Sequence, residues 1–112
     1  MRDDGKIDYI ELPASELPAT KAFYEKAFGW TFTDYGPRYA AMTEGLDGGF
    51  NANGDRAEAP LVILYAHDLE AMEVKVRAAG GTVVRPIFSF PGGRRFHFRD
   101  PSGNELAVWG EG

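Results

Sequence analysis

Alternating apolar and polar residues predict two strands joined by a tight turn near the end of the chain. Phe96 and Phe98 alternate with arginine and histidine before the turn, and Leu106 and Val108 alternate with other residues after it. A period of two gives each strand one apolar face and one face of different chemistry. The segment 100–103 has the Asp, Pro and Gly of a type I turn in order. We expect the second face to line a cavity, with these residues pointing into it: Arg95, His97, Glu105, Ala107 and Trp109.

Apolar residues at helical spacing predict two helices, each ended by glycine. The first covers 17–28, with Ser15 as its predicted N-cap and Gly29 after its last residue. The second begins after Asp68, a good N-cap residue, and is terminated by Gly80-Gly81. Five aromatic side chains of the first helix and the final strands are assigned to the core: Phe23, Tyr24, Phe28, Phe96 and Phe98.

Each predicted helix has one strand before it and extended segments after it. In chain order the strand candidates are 6–12, 30–33, 39–43, a short piece near 49–50, 61–65, 82–85, 94–99 and 105–109. Gly29 and Gly81 lie 52 residues apart, as do Tyr9 and Leu61. A repeat of this length predicts two similar units packed together. The predicted single domain and its two modules have these bounds: 1–112, about 6–55 and about 58–110.

Two segments are predicted as loops. The Gly- and Asn-rich stretch 45–54 is expected to be part strand edge and part linker between the modules. Segment 87–93 contains Phe88 and Phe90 ahead of a Pro-Gly-Gly sequence. We expect a loop here, whose exposed aromatic side chains are candidates for a lid.

Composition narrows the class of protein. With 44% hydrophobic and 26% charged residues, the chain is typical of a globular domain. The absence of cysteine excludes disulfides and zinc-thiolate sites. A net charge of -5 argues against a nucleic-acid partner. No apolar run is long enough for a bilayer, and the first residues do not look like a signal peptide, so we expect no membrane partner and a cytoplasmic protein.

The charge is unevenly distributed along the chain. No carboxylate occurs between Glu73 and Asp100. The basic residues of this stretch are Lys75, Arg77, Arg85, Arg94, Arg95 and Arg99. The pattern indicates either a local positive field for an anionic ligand or a basic surface balanced by acids elsewhere. Both interpretations stay open.

Motifs in both modules resemble the vicinal oxygen chelate superfamily, which includes glyoxalase I, fosfomycin-resistance proteins, extradiol dioxygenases and bleomycin-resistance proteins. They are Glu11-Leu-Pro-Ala-Ser15, Ala22-Phe-Tyr-Glu-Lys-Ala-Phe-Gly-Trp30, Ala78-Ala-Gly-Gly81 and Asp100-Pro-Ser-Gly-Asn104. The resemblance spans about 6–109. It implies an α+β fold of two βαβββ modules, with a mixed sheet that curls into a ligand-holding cup and helices packed outside. It also implies that the chain pairs as a homodimer.

The resemblance also locates the usual metal ligands. Metal enzymes of the superfamily place His and Glu side chains inside the cup, and three of these positions fall on Tyr9, Leu61 and Ala107. The fourth, in the last strand of the first module, is not aligned by the sequence. Leucine and alanine offer no lone pair, and a neutral tyrosine is a poor ligand for a divalent cation. We therefore expect no metal and no other cofactor at this site.

The predicted cup retains aromatic and polar side chains that suit a small-molecule ligand. The candidate ligand-binding residues are Tyr9, Glu11, Tyr39, Arg95, His97, Glu105 and Trp109. His97 is either a general acid or base or a hydrogen-bonded residue that lines the pocket. Glu11 either positions a ligand or forms an ion pair with Arg95. No residue is assigned a catalytic role.

Three functions are open, and whether the chain is an enzyme is not decided by its sequence. We favour metal-free binding of a small aromatic or anionic molecule. The second is a metal-dependent lyase or isomerase of glyoxalase type, with donors drawn from Glu11, Glu44, His97 and Glu105. The third is a non-catalytic α+β scaffold or interaction protein whose own side chains fill the cup.

Overall fold

The computed structural model describes residues 2–42 and 45–111. Its elements are β1 (Ile7–Pro13), α1 (Leu17–Phe28), β2 (Thr33–Asp34), β3 (Tyr39–Met42), β4 (Gly48–Asn51), β5 (Leu61–Tyr65), α2 (Leu69–Ala78), β6 (Thr82–Phe90), β7 (Gly93–Arg99) and β8 (Glu105–Gly110). Each half reads strand, helix and three strands, which confirms the predicted α+β class and the two βαβββ modules. The chain divides into two compact units: the first unit is Tyr9–Leu61, and the second unit is Met1–Asp8 with Val62–Gly112.

Strand pairing follows the same order in both modules. In the first, β1 is parallel to β4, and β3 lies antiparallel between β4 and β2. In the second, β5 is parallel to β8, and β7 lies antiparallel between β8 and β6. Parallel strands need a long crossover connection, which the helix and the intervening strands supply in each module. The sequence repeat is therefore a repeat of topology, while the curling of the strands into a cup stays a prediction.

The two helices begin differently and confirm only one of the predicted caps. Asp68 caps α2, and its side chain accepts a hydrogen bond from the backbone N–H of Ala71 at 3.0 Å. The N-cap of α1 is Glu16, which makes no side-chain cap hydrogen bond. The prediction of Ser15 was therefore wrong by one residue. Gly29 ends α1 as predicted, in the left-handed conformation with φ of 75°, which glycine adopts without steric cost.

The core assignments of the aromatic residues were only partly right. Phe96 is fully buried, and Phe98 packs against the same cluster in the second unit. Tyr24 packs against the core of the first unit. Phe23 and Phe28 are 57% and 64% exposed, so their assignment to the core was wrong. Phe23 is one residue from Tyr24, which turns it about 100° around the helix axis and away from the buried face.

Two predicted extended or loop segments also need correction. The strand expected at 30–33 is reduced to β2, which covers only Thr33–Asp34. The loop and lid expected at 87–93 are instead the end of β6, a turn at Gly92 and the start of β7. Pro86 lies within β6, although proline interrupts a ladder. An edge strand tolerates it where the register shifts, as it does here on both sides of Arg85.

The turn between β7 and β8 has the predicted hydrogen bonding. The backbone N–H of Gly103 donates to the carbonyl oxygen of Asp100 at 2.9 Å. The Asp100 side chain accepts hydrogen bonds from the backbone N–H groups of Ser102 and Asn104. These bonds and the Asn104 side chain lower the pKa of Asp100. Within the described residues, neither helix is long and apolar enough to cross a membrane.

Candidate functional site

The polar residues of β7 and β8 share one face of the second unit, as predicted. Arg95 lies opposite Trp109, and His97 lies opposite Ala107. Ala107 in turn lies opposite Ile63 of β5, so this face of the sheet continues from His97 with a small and an aliphatic side chain. Ala107 is completely buried. The alternation of the sequence therefore correctly predicted that these side chains share one face.

Strand β6 adds two residues to this face that the site prediction did not include. Arg85 lies opposite His97, and Phe88 lies opposite Arg95. The guanidinium of Arg85 lies 4.0 Å from the centre of the Phe88 ring, and that of Arg95 lies 5.6 Å from it. The Phe88 and His97 rings are 5.7 Å apart. We call this group, with Glu105 and Trp109, the basic wall.

His97 lies at the centre of the basic wall and is 1% exposed. Its Nδ1 lies 3.0 Å from a carboxylate oxygen of Glu105. Burial lowers the pKa of His97, and the nearby charges of Arg95 and Arg85 lower it further, against the opposite effect of Glu105. The imidazole is therefore neutral near pH 7. An ionised carboxylate only accepts hydrogen bonds, so Nδ1 holds the proton and Nε2 is an acceptor.

The Nε2 atom of His97 is buried and has no hydrogen-bond partner anywhere in residues 2–42 and 45–111. A buried polar atom left without a partner costs about 1–3 kcal/mol. Folded proteins retain a buried atom of this kind where a ligand or a solvent molecule supplies the missing hydrogen bond. The atom is therefore a candidate contact for a bound molecule.

Trp109 is held at one end of the basic wall by residues far away in sequence. Its indole N–H donates to the Asp8 carboxylate at 3.0 Å. Arg2 binds the same carboxylate oxygen at 3.1 Å, and its guanidinium lies 5.0 Å from the centre of the Trp109 ring. Phe90 packs edge-on against Trp109 at 6.3 Å. No local signal in the sequence links Asp8 to Trp109.

The other predicted site residues form a separate group in the first unit. The hydroxyl oxygens of Tyr9 and Tyr39 are 2.8 Å apart, and Tyr39 donates to a carboxylate oxygen of Glu11 at 3.1 Å. The side-chain amide of Asn51 donates to the other oxygen of Glu11 at 3.4 Å. Glu11 and Asn51 are each 5% exposed. We call these four residues the acidic cluster.

The acidic cluster has a defined direction of hydrogen bonding. Burial raises the pKa of Tyr39 far above its ordinary value, and the adjacent Glu11 charge adds to this effect. Burial likewise raises the pKa of Tyr9. Both phenols therefore keep their protons near pH 7. Because the proton of Tyr39 goes to Glu11, its oxygen accepts the hydrogen bond from Tyr9.

Gly49 lies beneath the two phenols. It occupies the fourth of the superfamily's metal-ligand positions, the one in the last strand of the first module that the sequence did not align. Glu11 lies opposite Gly49 in β4, just as Ile63 lies opposite Ala107 in β8. Gly49 is thus the first-module equivalent of Ala107. A Cβ atom on Gly49 would lie 2.5 Å from the hydroxyl oxygens of both Tyr9 and Tyr39, so this residue must be glycine for the phenols to meet.

The donor set at the superfamily's metal positions does not fit a divalent cation. Those positions are occupied by a tyrosine, a glycine, a leucine and an alanine: Tyr9, Gly49, Leu61 and Ala107. Only the phenol offers an oxygen, and it is hydrogen-bonded to Tyr39. Zn²⁺ and Mn²⁺ require imidazole and carboxylate donors from several strands. We therefore derive no chemistry through a metal at these positions.

The alternative donors do not form a ready site either. His97 and Glu105 meet, but they are hydrogen-bonded to each other. Glu11 belongs to the other unit and binds Tyr39 and Asn51. Glu44 lies outside the described residues. Across the part of the chain that the structure describes, no three His, Asp or Glu side chains are grouped as a metal site.

The predicted site residues thus fall into two groups, one in each unit. The acidic cluster contains Tyr9, Glu11 and Tyr39, and the basic wall contains Arg95, His97, Glu105 and Trp109. A groove of about 470 Å³ occurs in the first unit, and none of the predicted site residues lines it. It is lined by Pro13, Ser15, Gly54, Arg56, Ala57 and Glu58. This groove has no buried charged side chain among its lining residues.

Comparison with known proteins identifies relatives of the whole chain. The family model of the Glyoxalase/Bleomycin resistance protein/Dioxygenase superfamily matches residues 6–108. The protein CFP32 of Mycobacterium bovis and Mycobacterium tuberculosis, provisionally named a glyoxylase, is 26% identical over 94% of this chain. The chain spans only 45% of the length of CFP32.

Two solved structures show the same fold. The Mn(II)-bound glyoxalase from Novosphingobium aromaticivorans has a TM-score of 0.66 and 22% identity, over 99% of this chain and 40% of that one. Methylmalonyl-CoA epimerase from Mycobacterium tuberculosis has a TM-score of 0.70 and 14% identity, over 96% and 88%. Sequence match, repeat topology and fold agree: the chain belongs to the Glyoxalase/Bleomycin resistance protein/Dioxygenase superfamily.

Proposed function

We propose that the basic wall binds a small aromatic or anionic molecule without a metal ion. One observation supports this most strongly: two arginines and a histidine surround an aromatic ring, Phe88, on one face of the second unit. The glycine, leucine and alanine at three of the superfamily's four ligand positions support the metal-free part of the proposal.

The chemistry of the basic wall suits an aromatic acid. A guanidinium binds a carboxylate through two parallel hydrogen bonds, and it also stacks on aromatic rings. Arg95 lies 5.5 Å from the centre of the Phe90 ring as well as near Phe88. Trp109 and Phe90 provide further aromatic surface for a planar ligand.

Catalysis of glyoxalase type is the alternative. The likeness to a Mn(II)-bound glyoxalase favours it, although that likeness concerns the fold. In this chain a metal would have to use His97 and Glu105, and it would first have to break their mutual hydrogen bond. Near-stoichiometric metal in the purified protein, lost on chelation, would favour this alternative over metal-free binding.

We also propose that the chain forms a homodimer and acts in the cytoplasm. Phe23 and Phe28 offer an exposed aromatic surface on α1. Light scattering should give twice the chain mass, and Phe28→Glu should give the monomer. Cell fractionation tests the location.

A thermal-shift measurement with benzoate tests the binding proposal. A ligand that binds only the folded protein raises its melting temperature. We expect a rise that persists in excess EDTA and is lost in Arg95→Gln. Arg94→Gln is the matched control, because Arg94 is next in sequence but bonds to Glu70 on α2. Equal loss in both variants, or loss of the shift in EDTA, would contradict the proposal.

A further inference from the structure

We infer that the ligand of the basic wall is a hydroxy-substituted aromatic acid, whose hydroxyl group donates a hydrogen bond to Nε2 of His97. This inference rests on the proposed function and narrows it. The acid group is assigned to the arginines Arg85 and Arg95, and the hydroxyl group to the one buried acceptor of the wall that lacks a donor.

The first step of the argument is the tautomer of His97. Its Nδ1 is 3.0 Å from the Glu105 carboxylate, which can only accept. The proton of the neutral ring is therefore on Nδ1, and Nε2 has an unused lone pair but no proton. A ligand atom that meets Nε2 must be a donor. A second carboxylate, an ether or a halogen at that point would be repelled.

The second step is the isolation of Nε2. The atom is buried and makes no hydrogen bond to any residue that the structure describes. The two arginines of the wall are near enough for their charges to affect the imidazole, yet neither donates to Nε2. A ligand hydroxyl thus gains a hydrogen bond at an atom that has already lost its contact with water. An analogue without the donor gains nothing there.

The third step concerns access. Phe88 lies against His97 and between the two arginines, so its ring covers the place that an aromatic ligand would take. The β6 register shifts between Val83 and Arg85 and again between Arg85 and Phe88. Phe88 itself pairs with Arg95 just after the second shift, so its ring must be displaced by rotation of the side chain, with the strand pairing kept. We expect the ligand ring to replace the Phe88 ring.

Isothermal titration with matched acids tests the inference. The probes are 3- and 4-hydroxybenzoate, the corresponding fluorobenzoates, which have a similar size but no donor, and benzoate itself. We expect at least one hydroxybenzoate to bind about tenfold more tightly than its fluoro analogue. In His97→Phe this ratio should fall to about one. In Phe88→Ala all the acids should bind more tightly.

The outcomes separate the inference from the proposed function. If benzoate binds and the hydroxyl group gives no advantage, or if the advantage survives in His97→Phe, the inference is wrong and the binding proposal stands. If no acid binds the wild type or Phe88→Ala, both fail. Should His97→Phe not fold, nitrogen-15 spectra of wild-type His97 decide: hydroxybenzoate must shift the Nε2 resonance more than fluorobenzoate does, and equal shifts overturn the inference.

Discussion

The acidic cluster and the basic wall occupy equivalent places in the two modules but differ in how completely their polar atoms are satisfied. In the acidic cluster, Tyr9 donates to Tyr39, and Tyr39 and Asn51 donate to Glu11. In the basic wall, His97 uses one nitrogen and leaves the other buried without a partner in the described chain. The comparison teaches that the polar side chains of the first module bond to one another, whereas the second module leaves one buried acceptor without a donor among the described residues.

The residue at the shared backbone position explains much of this difference. Gly49 and Ala107 are equivalent by register, and neither can bind a metal. Because Gly49 has no side chain, the hydroxyl groups of Tyr9 and Tyr39 occupy the space where its Cβ would lie. The two phenols fill this position in the first module. Ala107 keeps a methyl group, so the polar groups around it stay on the flanking positions. Substitutions in the two groups should therefore have different consequences.

The largest effect is expected for Gly49→Ala. The new Cβ would meet both phenol oxygens at 2.5 Å, so the Tyr9–Tyr39–Glu11 hydrogen bonds must break or shift. We expect a loss of about 3 kcal/mol in the free energy of unfolding, measured by urea denaturation. Gly54→Ala is the control, because a Cβ there meets nothing within 4 Å. Equal losses in the two variants would contradict the proposed role of Gly49.

A smaller loss is expected for Tyr39→Phe. The substitution removes the donor to Glu11 and the acceptor for Tyr9, and it leaves a buried carboxylate with fewer donors. We expect a loss of about 2 kcal/mol in chemical denaturation, since hydrogen bonds to charged groups are among the stronger ones. Tyr35→Phe, at a residue that is 64% exposed, should change the stability little. No difference between the two would show that the cluster is not stabilising.

The basic wall should instead make stability depend on pH. The pKa of His97 is lowered in the folded protein, so the unfolded chain takes up the proton first as the pH falls. Neutral His97 stabilises the folded protein above about pH 6.5, and this stabilisation is lost as the pH falls from there to the lowered pKa of the folded state. Each pH unit between the ordinary pKa and the lowered pKa corresponds to about 1.4 kcal/mol of unfolding free energy. The charged groups facing the ring within its unit are Glu105, Arg85 and Arg95.

Denaturation between pH 7 and pH 5 measures this effect. The wild type should lose stability over this interval, and His97→Gln should flatten the curve. His67→Gln, at an exposed residue outside the basic wall, is the matched control. If the His97 variant and the wild type had parallel curves, the imidazole would not be neutral and buried as described.

The smallest effects separate the two helices. Asp68 caps α2 with its side chain, whereas Glu16 of α1 makes no such bond. We expect Asp68→Ala to cost about 1 kcal/mol and Glu16→Ala close to nothing in thermal unfolding. A larger cost at Glu16 would mean that the α1 cap is formed in solution.

Much of the fold could be predicted from the sequence, because local patterns specify it. The period of two placed Arg95 and His97 on one face, and the spacing of the glycines revealed the repeat. The errors have local causes as well. The loop expected at 87–93 is largely strand, since an edge strand accepts Pro86 at a register shift and continues to Phe90. Helical spacing alone did not show that Phe23 lies just outside the buried face.

The site was less predictable, because its contacts join distant residues. The sequence named most residues of both groups as site residues, but not Asn51, Arg85 or Phe88. It also did not show that the predicted residues fall into two groups. Gly49 could not be aligned by counting, since the loops of the two modules differ in length, and only strand register identified it. Asp8 and Trp109 are joined across almost the whole chain. Phe88 was assigned to a loop, so its position against His97 was not foreseen.

The most direct test of the metal-free basic wall is a nitrogen-15 spectrum of the histidine side chains in EDTA, with and without 4-hydroxybenzoate. The chain has only two histidines, so His97→Gln assigns both. We expect His97 to be the neutral tautomer protonated on Nδ1, and we expect the acid to shift its Nε2 resonance while His67 stays unchanged. Tight binding of the acid with no change at His97, or binding that disappears with the metal, would contradict the account.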